Sequence, residues 1–261
     1  MAEPQPVLFV GAGPGDPELI TVKGLKALQQ AEMVIYAGSL VNPALLDDLQ
    51  PTVEIHDSAS LTLDEVVALM AQAVASGKKV VRLHTGDPAL YGAIQEQMEL
   101  LDERGIAYRV IPGVTAAFAA AASLANELTL PGLSQTLILS RRAGRTPVPD
   151  SEALERIAAV GGTLVLYLSV GMIGEVVEEL LAGGVFTPQT PAIVVSRASW
   201  PDERAVHATL ESIAAQVAVS GITRQAVIMV GEVLDIRGRS KVQKSKLYDP
   251  TFSHGYRQGR E

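Results

Sequence analysis

The chain has 261 residues, 48% of them hydrophobic, with 23 glycines, no cysteine and a formal net charge of −8. That length suits one large domain or two of ordinary size, and no apolar run approaches the roughly 18 residues that would span a membrane. The absence of cysteine excludes a disulfide, a thiolate nucleophile and a Cys-ligated metal, while an acidic balance without a broad basic face argues against a nucleic-acid partner.

The start, MAEPQPVLF, has neither the basic segment nor the apolar run of a signal peptide, so a cytoplasmic location is expected. His56, His84, His207 and His254 have no metal-ligand spacing, and no metal site is expected. The first strand is expected at 7–10, a β-branched run that stops at Gly11, Gly13 and Gly15, with Pro14 stiffening the turn. Asp16 then reads as an N-cap with Pro17 at the first helical position, opening a helix over 17–30. A dinucleotide site would need G-x-G-x-x-G and an acidic residue after the second strand. Here the spacing is G-x-G-x-G, and the second strand, at 33–36, runs into Ala37-Gly38-Ser39 without a carboxylate. A phosphate-binding P-loop is excluded, since no Gly-Lys-Ser/Thr follows. Two readings of the glycine loop stay open: the floor of a ligand site, or a tight strand-to-helix turn.

Further on, strands expected at 53–56, 79–83 and 107–111 alternate with helices expected at 43–49, 63–75, 89–104 and 114–125, a βαβ architecture. Thr62 and Glu65 have capping-box spacing ahead of the helix at 63–75. The stretch VVRLHTGDPALYGA repeats the strand-to-loop pattern: an apolar strand enters Thr85-Gly86-Asp87-Pro88, and a helix follows from near Ala89. Two such strand ends in one parallel sheet place their loops on the same edge, where open α/β sheets hold ligands. Asp87 is either an acceptor for ligand hydroxyls or an amine, or a helix cap. His84 and Tyr91 are weak candidates for handling a proton, each with a packing role as the alternative. A third turn, Pro112-Gly113-Val114-Thr115-Ala116-Ala117, is built of small residues that permit close approach.

After Pro131-Gly132, strands are expected at 134–140, 163–168, 192–196 and 226–230, forming a second sheet. Between the first two of these lies a locally basic loop containing Arg141, Arg142 and Arg145. Beyond Leu234 the chain turns polar and net basic, and on composition it reads as a disordered tail. The expected organisation is therefore an N-terminal α/β domain at 1–130, a C-terminal α/β domain at 131–234 and a tail at 235–261.

GAGPGDPELIT, YAGSLV, RLHTGDPALYGA, PGVTAAFAAAA, ELTLPGLSQTLILSR and ASWPDE, in this order, resemble the tetrapyrrole methyltransferase family, from Val7 to about Val233. The tail SKLYDPTFSHGYR shares the likeness. The resemblance implies two α/β domains with S-adenosylmethionine in a cleft between them, commonly in a homodimer. It carries cofactor contacts onto Pro14, Thr85, Gly86, Asp87, Leu90, Thr115 and Ala116, and onto Leu168 and Ala198, where many relatives have methionine and glycine. YAGSLV, ELTLPG and ASWPDE point within the family to methylation at C-11 of precorrin-4 or cobalt-precorrin-4 in cobalamin biosynthesis. Uroporphyrinogen methyltransferases usually carry an Asp-Arg-Leu-Val pattern where this chain has YAGSLV. Alternatives are a sister methyltransferase acting at another ring position and a non-catalytic module binding a tetrapyrrole or cofactor. A tetrapyrrole substrate carries several carboxylates, which makes Arg141, Arg142, Arg145 and Arg197 candidate substrate-binding residues, since the planar guanidinium pairs with a carboxylate through two charge-assisted bonds. The family likeness of the tail implies docking on the body or near the substrate.

Overall fold

The computed structural model describes residues 5–47, 49–235 and 243–260. Residues 236–242 of the expected tail, and Asp48 in the helix expected at 43–49, lie outside them. The chain divides into two compact units, Met1–Ala119 with Arg197–Asp202, and Ala120–Ser196 with Glu203–Glu261. Among the described residues no helix is long and apolar enough to cross a membrane.

The first unit holds β1 (Val7–Gly11), β2 (Met33–Tyr36), β3 (Glu54–Asp57), β4 (Val80–His84) and β5 (Tyr108–Ile111) in one sheet of order β3-β2-β4-β1-β5. Every pairing in it is parallel. A parallel sheet needs cover on both faces, and each face has its own apolar layer. On one side Val10, Val34, Val81 and Leu83 pack with Leu28 of α1 (Val22–Gln29) and Leu45 of α2 (Ala44–Asp47). On the other, Val7, Phe9, Met33, Ile35 and Val80 meet Val66, Val67 and Met70 of α3 (Leu63–Ala75) and Leu101 of α4 (Gln95–Glu103). The alternation along each strand is what gives the two layers their residues.

Two helix starts differ from the sequence expectation. The helix expected over 17–30 is broken: Asp16 caps only a single 3-10 turn, Pro17–Leu19, through its bond from the Glu18 N–H. The α-helix begins again at Val22, where Thr21 Oγ1 accepts from the Gly24 N–H, so a second cap overrides the first. The helix expected from Ala89 begins only at Gln95. Tyr91 and Ala93 sit at φ 56° and 49°, left-handed conformations that end any helix running through them.

The second unit is a mixed sheet of order β6-β7-β10-β8-β9, built from β6 (Leu137–Arg141), β7 (Thr163–Tyr167), β8 (Pro191–Ser196), β9 (Arg204–Thr209) and β10 (Ala226–Val230). Only β6 and β7 pair in parallel; the other ladders are antiparallel. Leu164, Leu166, Val194, Ile228 and Val230 pack on one face against α6 (Leu154–Ala158), α7 (Ile173–Ala182) and α8 (Leu210–Ser220), through Leu154, Val176, Leu180, Leu210 and Ile213. The strand β9 was not expected from sequence. It bonds β8 alone, at the sheet edge, and its RAVHAT run is too weakly apolar to announce a strand. The described part of the tail is ordered into turns, contrary to the compositional expectation: Ser245 caps a 3-10 turn at Lys246–Tyr248, and Arg257 donates to the Leu247 carbonyl at 2.8 Å.

The capping box at α3 forms as the spacing predicts. The Thr62 N–H donates to Glu65 Oε2 at 2.7 Å, and the Glu65 N–H donates to Thr62 Oγ1 at 3.4 Å. The Thr62 N–H and the Thr62 hydroxyl, which donates to the same Oε2 at 2.8 Å, hold the Glu65 carboxyl below its ordinary value, so these bonds to the carboxylate are intact at neutral pH and weaken as pH falls through the acid range. Thr62→Ala should lower stability by about 1 kcal/mol, read as a fall in the denaturant midpoint with an unchanged slope.

Candidate functional site

The parallel order places β1 between β4 and β5, so three strand-end loops emerge side by side on one edge of the first unit. They are joined by backbone. The Ala12 N–H donates to the His84 carbonyl at 2.7 Å, while Gly13 and Gly86 exchange bonds of 3.2 and 2.8 Å. Gly113 lies so close that a Cβ on it would fall 2.1 Å from the Gly86 carbonyl oxygen and 2.8 Å from the Gly11 Cα. Only hydrogen fits at this contact, and both neighbours are main chain that cannot give way. Asp87 fastens the same junction: Oδ1 accepts from the Ala89 N–H at 2.8 Å and Oδ2 from the Gly113 N–H at 2.9 Å. No helix starts at Ala89, so the expected capping role becomes a turn closure that also ties the second loop to the third, and each oxygen keeps a further acceptor position.

The first loop is held from its other side by Arg197–Asp202, a segment nearly two hundred residues away in sequence. Trp200 Nε1 donates to the Pro14 carbonyl at 2.9 Å, and the Asp16 N–H donates to Ser199 Oγ at 2.9 Å. A Cβ on Gly15 would lie 2.0 Å from the Trp200 ring, so glycine here makes room for the indole. Asn42 Nδ2 donates to the Gly15 carbonyl at 2.8 Å. The N–H groups of Ala12, Gly13 and Asp16 are therefore engaged within the protein, Pro14 has none, and the Glu18 N–H faces the Asp16 carboxylate. An anion cradle needs several free, converging N–H groups, and the loop's donors at Ala12, Gly13 and Asp16 are taken up within the protein. The geometry sides with the sequence against a pyrophosphate here.

Pro14, Thr85, Gly86, Asp87, Leu90, Thr115, Ala116 and Ala198 all belong to the first unit, on these loops and the Arg197–Asp202 segment. Pro14, Thr115 and Ala198 are buried; Thr85, Gly86, Asp87, Leu90 and Ala116 are half-buried. The Thr115 carbonyl accepts from the Phe118 and Ala119 N–H groups and so starts α5 (Ala116–Ser123). Leu168 lies in the second unit just past β7, at φ 54° and 67% exposed, an apolar side chain held outward in a conformation that leucine rarely adopts. Arg197 and Ser199 share that left-handed backbone, at φ 53° and 67°.

His84 is 3% exposed beside Phe9, with Nε2 making no hydrogen bond, and burial together with the Arg82 charge pulls it from its ordinary 6.5 to about 3. A neutral, enclosed imidazole packs well and takes a proton poorly, which favours its packing role. Tyr91 is 44% exposed. Of the four arginines, three are engaged: Arg141 donates to the Thr146 and Pro147 carbonyls, Arg142 pairs with Glu179 at 2.7 Å, and Arg197 pairs with Asp202 at 2.6 Å while its guanidinium lies 4.0 Å over the Trp200 ring. Arg145 is exposed. Sequence reasoning missed Asn42, Ser199 and Trp200 as supports of the first loop, although the single tryptophan of the chain stands inside a quoted motif. It also missed Arg82, a charge amid the apolar VVRLH strand, which was the available signal.

These features define a class of protein: an open parallel sheet whose carboxyl edge, the edge at which such sheets hold ligands, is walled by interlocked backbone, in a chain with a second mixed-sheet unit. The chain belongs to the Tetrapyrrole (Corrin/Porphyrin) Methylases, whose family profile matches residues 6–214. It is 52% identical over 251 residues to the cobalt-precorrin-4 C(11)-methyltransferase of Methanocaldococcus jannaschii, covering 96% of this chain and 95% of that protein. A solved cobalt precorrin-4 methyltransferase of cobalamin biosynthesis superposes with a TM-score of 0.85 at 47% identity, over 88% of this chain and 95% of that one. Uroporphyrin-III C-methyltransferase from Thermus thermophilus, solved with S-adenyl homocysteine, matches with a TM-score of 0.72 at 32% identity, over 88% and 94% of the two chains.

Because the folded-state value of His84 lies below its unfolded one, the neutral form stabilises the fold above about pH 6.5, and that contribution is lost as pH falls towards 3. His84→Phe should flatten the acid side of the stability profile between these limits while leaving stability at neutral pH similar, as measured by denaturant titrations across pH.

Proposed function

We propose that this protein is an S-adenosylmethionine-dependent C-methyltransferase acting at C-11 of precorrin-4 or cobalt-precorrin-4 in cobalamin biosynthesis. The observation that carries the reading is the interlock of the three loops around Gly11, Gly86 and Gly113. It makes a backbone wall whose Ala12, Gly13 and Gly86 donors face the protein, which suits a ligand whose charged centre is a sulfonium instead of a phosphate. The relatives' names supply the reaction and ring position, and the Thermus thermophilus structure with S-adenyl homocysteine supplies the cofactor class. YAGSLV, in place of Asp-Arg-Leu-Val, favours the precorrin-4 branch over uroporphyrinogen methylation.

The residues fit the cofactor. Asp87 keeps acceptor positions for hydroxyls or an amine beyond the two bonds it makes to the loops. Thr85, Gly86, Leu90, Thr115, Ala116, Pro14 and Ala198 would wall the ligand with small or apolar surface, and Leu168 is added by the family resemblance alone. When bound, S-adenosylmethionine supplies a methyl group already activated on sulfur. The work left to the chain is positioning: holding reacting atoms about 3–3.5 Å apart and in line removes roughly 7–11 kcal/mol of barrier. Apolar walls keep water out, which favours a step in which positive charge at the reacting centre is dispersed. Arg145, exposed in the basic loop, is the arginine best placed to pair with a substrate carboxylate, since its three fellow candidates are engaged with the protein. The reading takes the enzyme as a homodimer, supported by the family resemblance, in the cytoplasm, supported by the absence of cysteine and of a signal-peptide pattern.

Calorimetric titration should show saturable binding of S-adenosylmethionine and none of NAD, and product NMR should place the new methyl at C-11. Asp87→Ala should weaken cofactor binding by about tenfold or more, as expected for a lost charge-assisted bond. Unchanged affinity would remove Asp87 from the site.

A further inference from the structure

Within the first unit, Arg82 and Gln97 are polar side chains buried in an apolar layer, 6% and 5% exposed, and the proposed chemistry uses neither directly. Arg82 Nε donates to Gln97 Oε1 at 3.1 Å, and Arg82 Nη1 donates to the Ile35 carbonyl at 3.2 Å. Gln97 Nε2 in turn donates to the Ala93 carbonyl at 2.9 Å. Burial pulls the guanidinium down to about 10, opposed by the nearby Asp57 carboxylate, so it is still charged at neutral pH. Burying a guanidinium and an amide is costly unless both are satisfied, and apolar residues of similar size would fill this layer at least as well. The pair therefore calls for a reason beyond packing.

Its far end supplies one. Ala93 closes the turn in which Tyr91 and Ala93 both hold left-handed backbone, and a Cβ on Gly92 would fall 2.2 Å from the Pro88 carbonyl oxygen. Such strained backbone persists only where surrounding structure over-determines it. The segment from Thr85 to Ile94 is pinned at its start by Asp87, through Ala89 and Gly113, and at its end by Gln97. Between these pins lie Leu90 and Tyr91, and at the first of them Thr85, Gly86 and Asp87.

We infer that Gln97, oriented by Arg82, is a positioning residue that sets the path of the Thr85–Ile94 loop and so the affinity of the site for its cofactor. The inference rests on the proposed reading of that loop as the cofactor's. Arg82 fixes the amide so that its donor faces Ala93, and the strand carrying Arg82 runs directly into the loop that the amide holds. Direct contact between Gln97 and the cofactor is no part of the inference.

The test uses the full chain with Gln97→Glu and Gln97→Leu. Glu keeps an acceptor for Arg82 and loses the donor to Ala93; Leu loses both. Expected for each variant is an affinity for S-adenosylhomocysteine about tenfold weaker by calorimetry, the effect of one buried hydrogen bond left unmade. The KM for S-adenosylmethionine should rise with kcat unchanged, and amide hydrogen exchange should accelerate at residues 89–94 alone. Gln97→Glu should still fold cooperatively, since its carboxylate keeps Arg82 paired, with at most a modest fall in melting temperature from the lost bond to Ala93, which keeps the test decisive if Gln97→Leu fails to fold. Wild-type affinity and unchanged exchange in Gln97→Glu would overturn the inference. A wild-type protein that does not bind S-adenosylhomocysteine would instead sink the cofactor reading, while exchange at residues 89–94 would still decide whether Gln97 sets the loop.

Discussion

The approach of three backbones at Gly11, Gly86 and Gly113 is the constraint on which the rest of the first unit depends. A side chain at Gly113 would overlap the Gly86 carbonyl and one at Gly11 would overlap Gly113, so the loops meet because Gly11 and Gly113 leave that space, while Gly86, at φ 61°, supplies the left-handed backbone that brings its carbonyl in. Their meeting follows from strand order, since β1 lies between β4 and β5. Once the loops touch, the Ala12, Gly13 and Gly86 N–H groups bond across them, which turns these donors away from any ligand and leaves a closely packed backbone wall. Asp87 turns that contact into a fastening by accepting from both the second and third loops.

Unusual conformations support this junction. In the first unit Tyr91, Ala93, Arg197 and Ser199 hold positive φ without being glycine, in segments that carry candidate site residues, while Ala125, Leu168 and Gln225 do so in the second. Each costs free energy of order 1–3 kcal/mol and needs support from outside its own turn. Gln97 supports Ala93, and the bond to Asp16 engages Ser199. The arginines follow the same logic. Arg142 and Arg197 are held by carboxylates and Arg141 by carbonyls of its own loop, so most of the positive charge that the sequence offers to a substrate is already committed to the fold.

The strands of both sheets were legible because apolar, β-branched runs bounded by glycine and proline leave little choice of structure. Only β9 escaped: an edge strand paired on one side needs less burial and therefore shows less pattern. The helix starts were less legible. Asp16 and Pro17 make a good cap, but Thr21 makes another four residues on from Pro17, and the chain uses both. At Ala89 the local sequence permits a helix, and the strained turn through Tyr91 and Ala93 defeats it.

The sequence by itself determined the family, the alternation of strand and helix in the first unit, and which turns share the carboxyl edge of its sheet, because motif order, hydrophobic period and glycine placement are properties of short stretches. Tertiary structure alone decided what those turns do with their polar groups. Trp200 fills the space left by Gly15, Ser199 takes the Asp16 N–H, Arg82 steers Gln97, and His84 is enclosed and neutral. Each of these pairs residues from different elements of the chain, and no periodicity or propensity encodes a contact that exists only once the sheet has set its strand order.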